Sequence, residues 1–236
     1  MCIIAVSKKG VKQPTLDQLR TMFDNNPDGA GYMVARKGKV SIHKGFMVWE
    51  DFERAIKAEH FTEKDPVVYH FRISTQAGIK PSMTHPFPLT EDLKLCEKLD
   101  ILSCPVGIAH NGIIHMTSDS KETRFSDTAL FITEYMTKLI RNQQETGDPM
   151  ILNMIDCLTN SKWAIMNGSG EISLVGKFFS KDGIMYSNMT YLPVKAKGKG
   201  NTGKYPTYKG SGSGPMYKWD AVNRLWVETT DNYMNW

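Results

Sequence analysis

Cys2 sits where its chemistry could be unusual. Loss of Met1, expected where the second residue is small, would leave a thiol and a free α-amine on one residue. Such an amine titrates near ~7.7–8.0 and a thiol near ~8.5, so at neutral pH the amine can take the thiol proton without help from a histidine. The same cysteine can equally be an ordinary thiol at the start of a buried strand. Cys96, Cys104 and Cys157 lie at irregular spacings with no CxxC pair, and they point to neither a disulfide framework nor a thiolate zinc site. His43, His60, His70, His110 and His115 show no metal-ligand spacing and read as structural, so neither metal nor cofactor is expected.

Several elements must position that cysteine. Residues 2–10, CIIAVSKKG, read as a buried strand ending in a basic turn. Thr15 caps a predicted helix whose Leu16, Leu19, Met22 and Phe23 recur at helical spacing, stopped by Asn25-Asn26-Pro27. Two β-rich runs, 31–35 and 39–43, flank Lys37-Gly38 and predict a hairpin, and Asp51 is placed as the cap of a helix over FERAIKAEH. Residues 66–74 alternate as a strand with one face buried and lead into a loop carrying Thr84-His85-Pro86-Phe87. PVGIAHNGII at 105–114 is a strand broken by Asn111-Gly112, a dipeptide that tolerates positive φ and usually marks a hairpin turn. Ser126 caps a further helix, SDTALFITEYMTKLI, and a second Asn-Gly pair, Asn167-Gly168, centres another hairpin. Strands and helices arranged in runs, without strict βαβ alternation, argue for an antiparallel α+β fold with helices on the outer sheet faces.

Composition bounds the possibilities further. At 236 residues, with 41% hydrophobic and 23% charged, the chain can bury a real core as one domain of 1–193. No stretch reaches the ~18 uninterrupted apolar residues of a membrane span, and no leader is read at the start, so a cytoplasmic protein without a membrane partner is expected. The formal charge is +4, yet the segment 194–215 holds five lysines (195, 197, 199, 204, 209) and no acid; removing those five turns +4 into −1. That segment reads as a flexible Lys/Gly/Ser-rich linker. A nucleic-acid partner is not expected, because only Tyr205 and Tyr208 interleave the lysines. Residues 216–236 follow as a short hairpin containing Trp219 and Trp226, too small to stand alone.

In order along the chain stand Met1-Cys2, NPDGAG at 26–31, HFRIST at 70–75, THPF at 84–87, AHNGII at 109–114 and SDT at 126–128. This series resembles the class II glutamine amidotransferase domain of the N-terminal nucleophile (Ntn) hydrolases, over about residues 2–190. The resemblance implies a four-layer αββα sandwich of two antiparallel sheets flanked by helices. It also implies that Cys2 attacks the side-chain amide of glutamine or a γ-glutamyl amide, forming a γ-glutamyl thioester and releasing ammonia. By position, Asn111 and Gly112 correspond to the oxyanion hole. Arg72 corresponds to the grip on the substrate α-carboxylate and Asp127 to the site for its α-ammonium, with Thr75, His85, Asp28 and Gly29 lining the same pocket. The chain differs from the family in having Ile3 where Gly commonly follows the nucleophile, and Ile73 and Gln76 where synthase-type members carry Trp and His. Too few residues follow for a synthase domain, so the likeness is to short stand-alone members, some of them found in bacteriophage, with any ammonia passing to a separate enzyme or to water.

Bland readings compete with these roles. Arg72 suits a strand surface, Asp127 suits the first turn of any helix, and Asn111-Gly112 suits a plain turn. The competing functional reading is an inactive protein of the same fold that engages another protein through the pocket or the C-terminal tail.

Overall fold

Ile3–Ser7 form strand β1, five residues with no exposed member, because both faces of the sheet they enter are covered. Ile3 and Ala5 point into one core cluster while Ile4 and Val6 point into another, as the two-residue period of a strand requires. The computed structural model describes residues 2–73, 79–115, 125–193, 216–220 and 225–229.

The chain is a mixed α+β structure with two sheets. The larger contains β1, β2 (Ala30–Arg36), β3 (Lys39–Phe46), β4 (Val67–Phe71), β6 (Asp100–Cys104), β10 (Phe179–Lys181), β11 (Ile184–Tyr186), β12 (Met216–Asp220) and β13 (Leu225–Thr229), in the order β12-β13-β10-β11-β1-β4-β2-β3-β6. The smaller is β5 (Phe87–Pro88), β7 (Val106–Asn111), β8 (Lys162–Asn167) and β9 (Ile172–Val175), in the order β5-β7-β8-β9. Pairing is antiparallel throughout, except that β13 joins β10 in parallel. Through that contact the hairpin β12–β13, with Trp219 opposite Trp226 in register, extends the larger sheet.

Three apolar clusters hold these sheets and their helices together. Helix α1 (Leu16–Asn25) and helix α2 (Trp49–Glu59) lay Leu19, Met22, Phe23, Trp49 and Phe52 on Tyr32, Tyr69 and Phe71 of the larger sheet. Phe52 meets Phe71 edge-on with centroids 5.2 Å apart, a favoured aromatic geometry. Ile4, Val6, Met33, Ile42 and Val68 from the other face of that sheet meet Ala109, Ala164 and Met166 of the smaller one. The outer face of the smaller sheet packs Ile108, Trp163 and Ile165 against Phe131, Ile132, Met136 and Ile155. Those last residues come from α4 (Asp127–Phe131), a π-helical turn Ile132–Met136 that runs on into α5 (Thr137–Leu139), and α6 (Pro149–Thr159). A short α3 (Leu93–Glu97) precedes β6.

Local signals act largely as expected. Thr15 and Gln18 form a reciprocal capping box at α1, and Ser126 accepts from Ala129 N at α4. The β2–β3 turn places Lys37 and Gly38 at positive φ. Three expectations need correction. Strand β4, expected to bury one face, is buried on both, because helices cover one side of its sheet and the smaller sheet covers the other. Helix α2 begins at Trp49, ahead of Asp51, which lies in the first turn and pairs with Arg54 at 3.1 Å; the N-cap is Val48, without a side-chain bond. Asn111-Gly112 is not a hairpin turn: β7 ends there and its partner β8 begins at Lys162. Helix α6 was not anticipated, although Asp148 caps it through Met150 N and Ile151 N and Pro149 occupies its first turn. The predicted linker 194–215 lies outside the described residues.

Candidate active site

The antiparallel register of β1 and β4 pairs Ile3 with Phe71, so its continuation sets Cys2 opposite Arg72. The Cys2 thiol donates to the Ile73 carbonyl at 3.6 Å. Burial pushes this thiol above its ordinary pKa, against the opposing pull of the Ile73 contact and of the Arg72 charge. A thiol held protonated in this way needs a base to become a nucleophile.

Arg72 is nearly buried, at 7% exposure, and its backbone is stitched to the loop before β2: Arg72 N donates to Gly29 O at 2.8 Å and Asp28 N donates to Arg72 O at 2.9 Å. Gly29 takes φ +117°, and a side chain there would run into Thr84 Cγ2 at 2.6 Å. One step further, a Cβ on Gly31 would strike the His85 carbonyl. The glycines of the 26–31 segment thus let the Thr84–Phe87 loop close over the start of β2, so that Asp28, Gly29, Arg72 and His85 converge.

Asn111 arrives from the other sheet. Its Nδ2 donates to Ser187 Oγ at 2.8 Å, and the same oxygen accepts from Ile4 N at 2.9 Å. Ser187 N in turn donates to Ile4 O at 2.9 Å, and Asn188 Nδ2 donates to the Cys2 carbonyl at 2.6 Å. The two residues after β11 therefore bind Cys2 and the strand that follows it to the end of β7. Gly112 is required for space and not for positive φ: a Cβ there would overlap Ser161 Oγ and lie 2.7 Å from Ser161 Cβ.

Asp127 stands at the N-terminus of α4, where its carboxylate accepts from Ile114 N at 2.9 Å and Thr128 N at 2.7 Å. It anchors the chain beyond Gly112. Thr128 Oγ1 lies 2.8 Å from His110 Nδ1, which links this anchor to the residue preceding Asn111.

Behind these groups lie three histidines with little or no exposure. His70 Nε2 is 3.0 Å from the His110 carbonyl, which can only accept, so Nε2 carries the proton. The His85 ring lies tilted against His70, with centroids 4.2 Å apart, and edge-on to Phe87 at 4.8 Å, and His110 lies 4.1 Å from Trp163. Burial lowers His70 and His110 to about 3, and lowers His85 well below the usual imidazole range. All three are neutral at pH 7. Lys44, buried over the Phe87 ring at 3.7 Å, donates to Ser82 O and Cys96 O, and burial lowers it to about 7.

The described candidates Cys2, Asp28, Gly29, Arg72, His85, Asn111, Gly112 and Asp127 belong to one connected region; Thr75 lies outside the described residues. Ser187 and Asn188 escaped sequence reasoning as site residues. Their signals are the polar Ser187, Asn188 and Thr190 directly after a buried strand, and the likeness of GIMYSNMTY at 183–191 to the short stand-alone members, which assigns neither residue a role. Among the described residues, no group of three or more His, Cys, Asp or Glu is arranged to hold a metal ion, and no helix is long and apolar enough to cross a membrane. No protein-family model matches this chain, and no curated protein matches it.

Proposed function

We propose that this chain is an amidohydrolase of the Ntn type, with an αββα fold, that cleaves glutamine or a γ-glutamyl amide through Cys2 once Met1 is removed. The observation that carries the reading is the placement of Cys2 opposite Arg72, at the head of a strand that the Ser187 hydroxyl ties, through Ile4 N, to the Asn111 carboxamide. In this reading the freed α-amine of Cys2 takes the thiol proton, and the sulfur attacks the amide carbon. Asn111 Nδ2 and the Gly112 N–H stabilise the oxyanion. The ammonium returns its proton to the leaving nitrogen, the C–N bond breaks, and ammonia departs to leave a thioester. Water, deprotonated by the same amine, attacks the thioester carbonyl; the C–S bond breaks, the thiolate regains its proton and glutamate is released. Arg72 and Asp127 would hold the two charged groups of the amino-acid end. Ammonia would pass to water or to a separate enzyme of the same compartment, which we take to be the cytoplasm.

The test is direct. Met-processed protein incubated with glutamine should release equimolar glutamate and ammonia, and Cys2→Ala should release neither. Absence of release by the wild-type protein, or equal release by Cys2→Ala, overturns the reading and leaves a binding protein of the same fold.

A further inference from the structure

We infer that Ser187 is a positioning residue that aims the Asn111 carboxamide, and so sets the oxyanion hole from the segment after β11, to which neither Cys2 nor Asn111 belongs. The inference rests on the function proposed above.

Ser187 is fully buried, and its Oγ accepts twice, from Ile4 N at 2.9 Å and from Asn111 Nδ2 at 2.8 Å. A hydroxyl oxygen has two lone pairs, so both are in use. The Ile4 N–H is an obligate backbone donor and cannot be exchanged for an acceptor, which anchors Oγ to β1. The backbone adds a second anchor, because Ser187 N donates to Ile4 O at 2.9 Å and Lys162 Nζ donates to the Ser187 carbonyl. Ser187 is therefore gripped by the nucleophile's strand and by β8 of the other sheet, and the one group it directs is Asn111.

The consequence for Asn111 follows from amide geometry. Its NH2 has two coplanar protons about 120° apart. One is directed at Ser187, which fixes the plane of the carboxamide and leaves the other proton with a defined direction. Asn111 has no second side-chain hydrogen bond among the described residues, so this contact alone orients it. Because Ile4 lies two residues after Cys2 in the chain, the same oxygen references the donor to the nucleophile. An oxyanion hole works by preorganisation, and a donor free to swing gives up much of that advantage.

The experiment measures glutamine hydrolysis by Ser187→Ala, Asn111→Ala and the double variant. Ser187→Ala should lower kcat by about 10- to 100-fold, below the loss from removing the donor itself, with KM within about threefold. In the Asn111→Ala background it should cost nothing further, because a positioning residue has nothing left to position. Additive losses, or an effect confined to KM, would overturn the inference. Should Ser187→Ala fail to fold, Ser187→Cys, whose sulfur still offers the Ile4 N–H an acceptor, replaces it in the cycle. A second readout is independent of activity: the Asn111 side-chain NH2 resonances should be well separated and protected from exchange in the wild type and lose that protection in Ser187→Ala. Unchanged resonances sink the inference even if the wild-type protein hydrolyses nothing, whereas lost protection in an inactive wild type keeps it and removes the proposed function alone.

Discussion

The molecule contains two Asn-Gly corners, at opposite ends of the paired strands β7 and β8, and the difference between them separates a structural asparagine from one with capacity to spare. Asn167 is saturated. Its Nδ2 donates to Gln143 O, Thr146 Oγ1 and Glu171 Oε2, and its Oδ1 accepts from Ser169 N, Ser169 Oγ and Glu171 N, which closes the β8–β9 hairpin. Asn111, as deeply buried, has one side-chain bond, to Ser187. Its corner leads to no hairpin; the chain beyond it is anchored by Asp127 instead. No atom of Asn111 is a fully buried orphan, so the capacity left over is open to water or to a ligand. The same dipeptide thus serves a turn at one end of the sandwich and a candidate catalytic donor at the other.

The largest predicted effect breaks this comparison if it fails. Asn111→Ala should lower kcat for glutamine by about 100- to 1000-fold and shift the denaturant midpoint little, since only one hydrogen bond is lost. Asn167→Ala should do the reverse. It orphans the Ser169 and Glu171 N–H groups and should cost about 3 kcal/mol in urea unfolding, with kcat of the folded fraction unchanged. If Asn167→Ala abolishes turnover in protein that remains folded, the two corners are not functionally distinct.

Acid should act at the Asn111 end first. His70 and His110 are held at about 3, against 6.5 when unfolded, and His85 is shifted in the same direction. Between those values the unfolded chain binds protons that the folded chain refuses, so stability is complete above pH 6.5 and is lost as pH falls toward 3. Denaturant midpoints measured at pH 7, 5 and 4 should decline by an amount on the order of a few kcal/mol. His85→Phe, which keeps the aromatic packing on His70 and Phe87, should flatten the decline. A slope identical in His85→Phe would show that this ring is not part of the acid response.

The glycines sharpen the same contrast. At Gly112 the obstacle to a methyl group is a side chain, Ser161; at Gly168 it is the Gly38 carbonyl, which is backbone. Gly112→Ala should destabilise by about 2 kcal/mol and reduce kcat, and adding Ser161→Gly should recover about half of both. Gly168→Ala should have no side-chain remedy. Recovery measured by urea melts and kcat together distinguishes the two neighbourhoods.

Much of the fold was legible because its determinants are local. Thr15 with Gln18, Lys37-Gly38, Ser126 and Asn167-Gly168 act within a few residues, and the unbroken apolar run of β1 reports two covered faces, whereas β4, whose alternation implies one buried face, is buried on both. Helix α6 escaped because apolar residues surround it: Met150, Met154 and Leu158 stay exposed while Ile155 is buried, so no clean stripe marks its inner face. At the site, Arg72, His85 and Asn111 were identified through resemblance, and the geometry of their support was out of reach. Ser187 lies 76 residues from Asn111 and 183 from Ile4 along the chain, and no local pattern encodes a bond of that span. Local pattern alone gives both Asn-Gly pairs the same turn reading, since the partners that set each carboxamide's saturation include residues more than twenty positions away.

The smallest predicted effect compares the serines that hold the two asparagines. Ser169 Oγ donates to Asn167 Oδ1 at 2.6 Å, two residues away, and it is one of six bonds on that side chain. Ser169→Ala should cost about 1 kcal/mol, because the remaining five bonds keep Asn167 in place and the serine N–H still reaches the same oxygen. Its kcat should match the wild type within about twofold, well inside the spread expected for a change remote from a catalytic donor. Ser187 sits on its asparagine alone, so removing its hydroxyl leaves Asn111 without a guide although the number of bonds lost at that asparagine is the same, one. Equal kinetic consequences of Ser169→Ala and Ser187→Ala would mean that redundancy of support, and not the mere presence of a hydrogen bond, has been misassigned between the corners. Measured side by side on protein of matched folded fraction, the pair isolates that single variable.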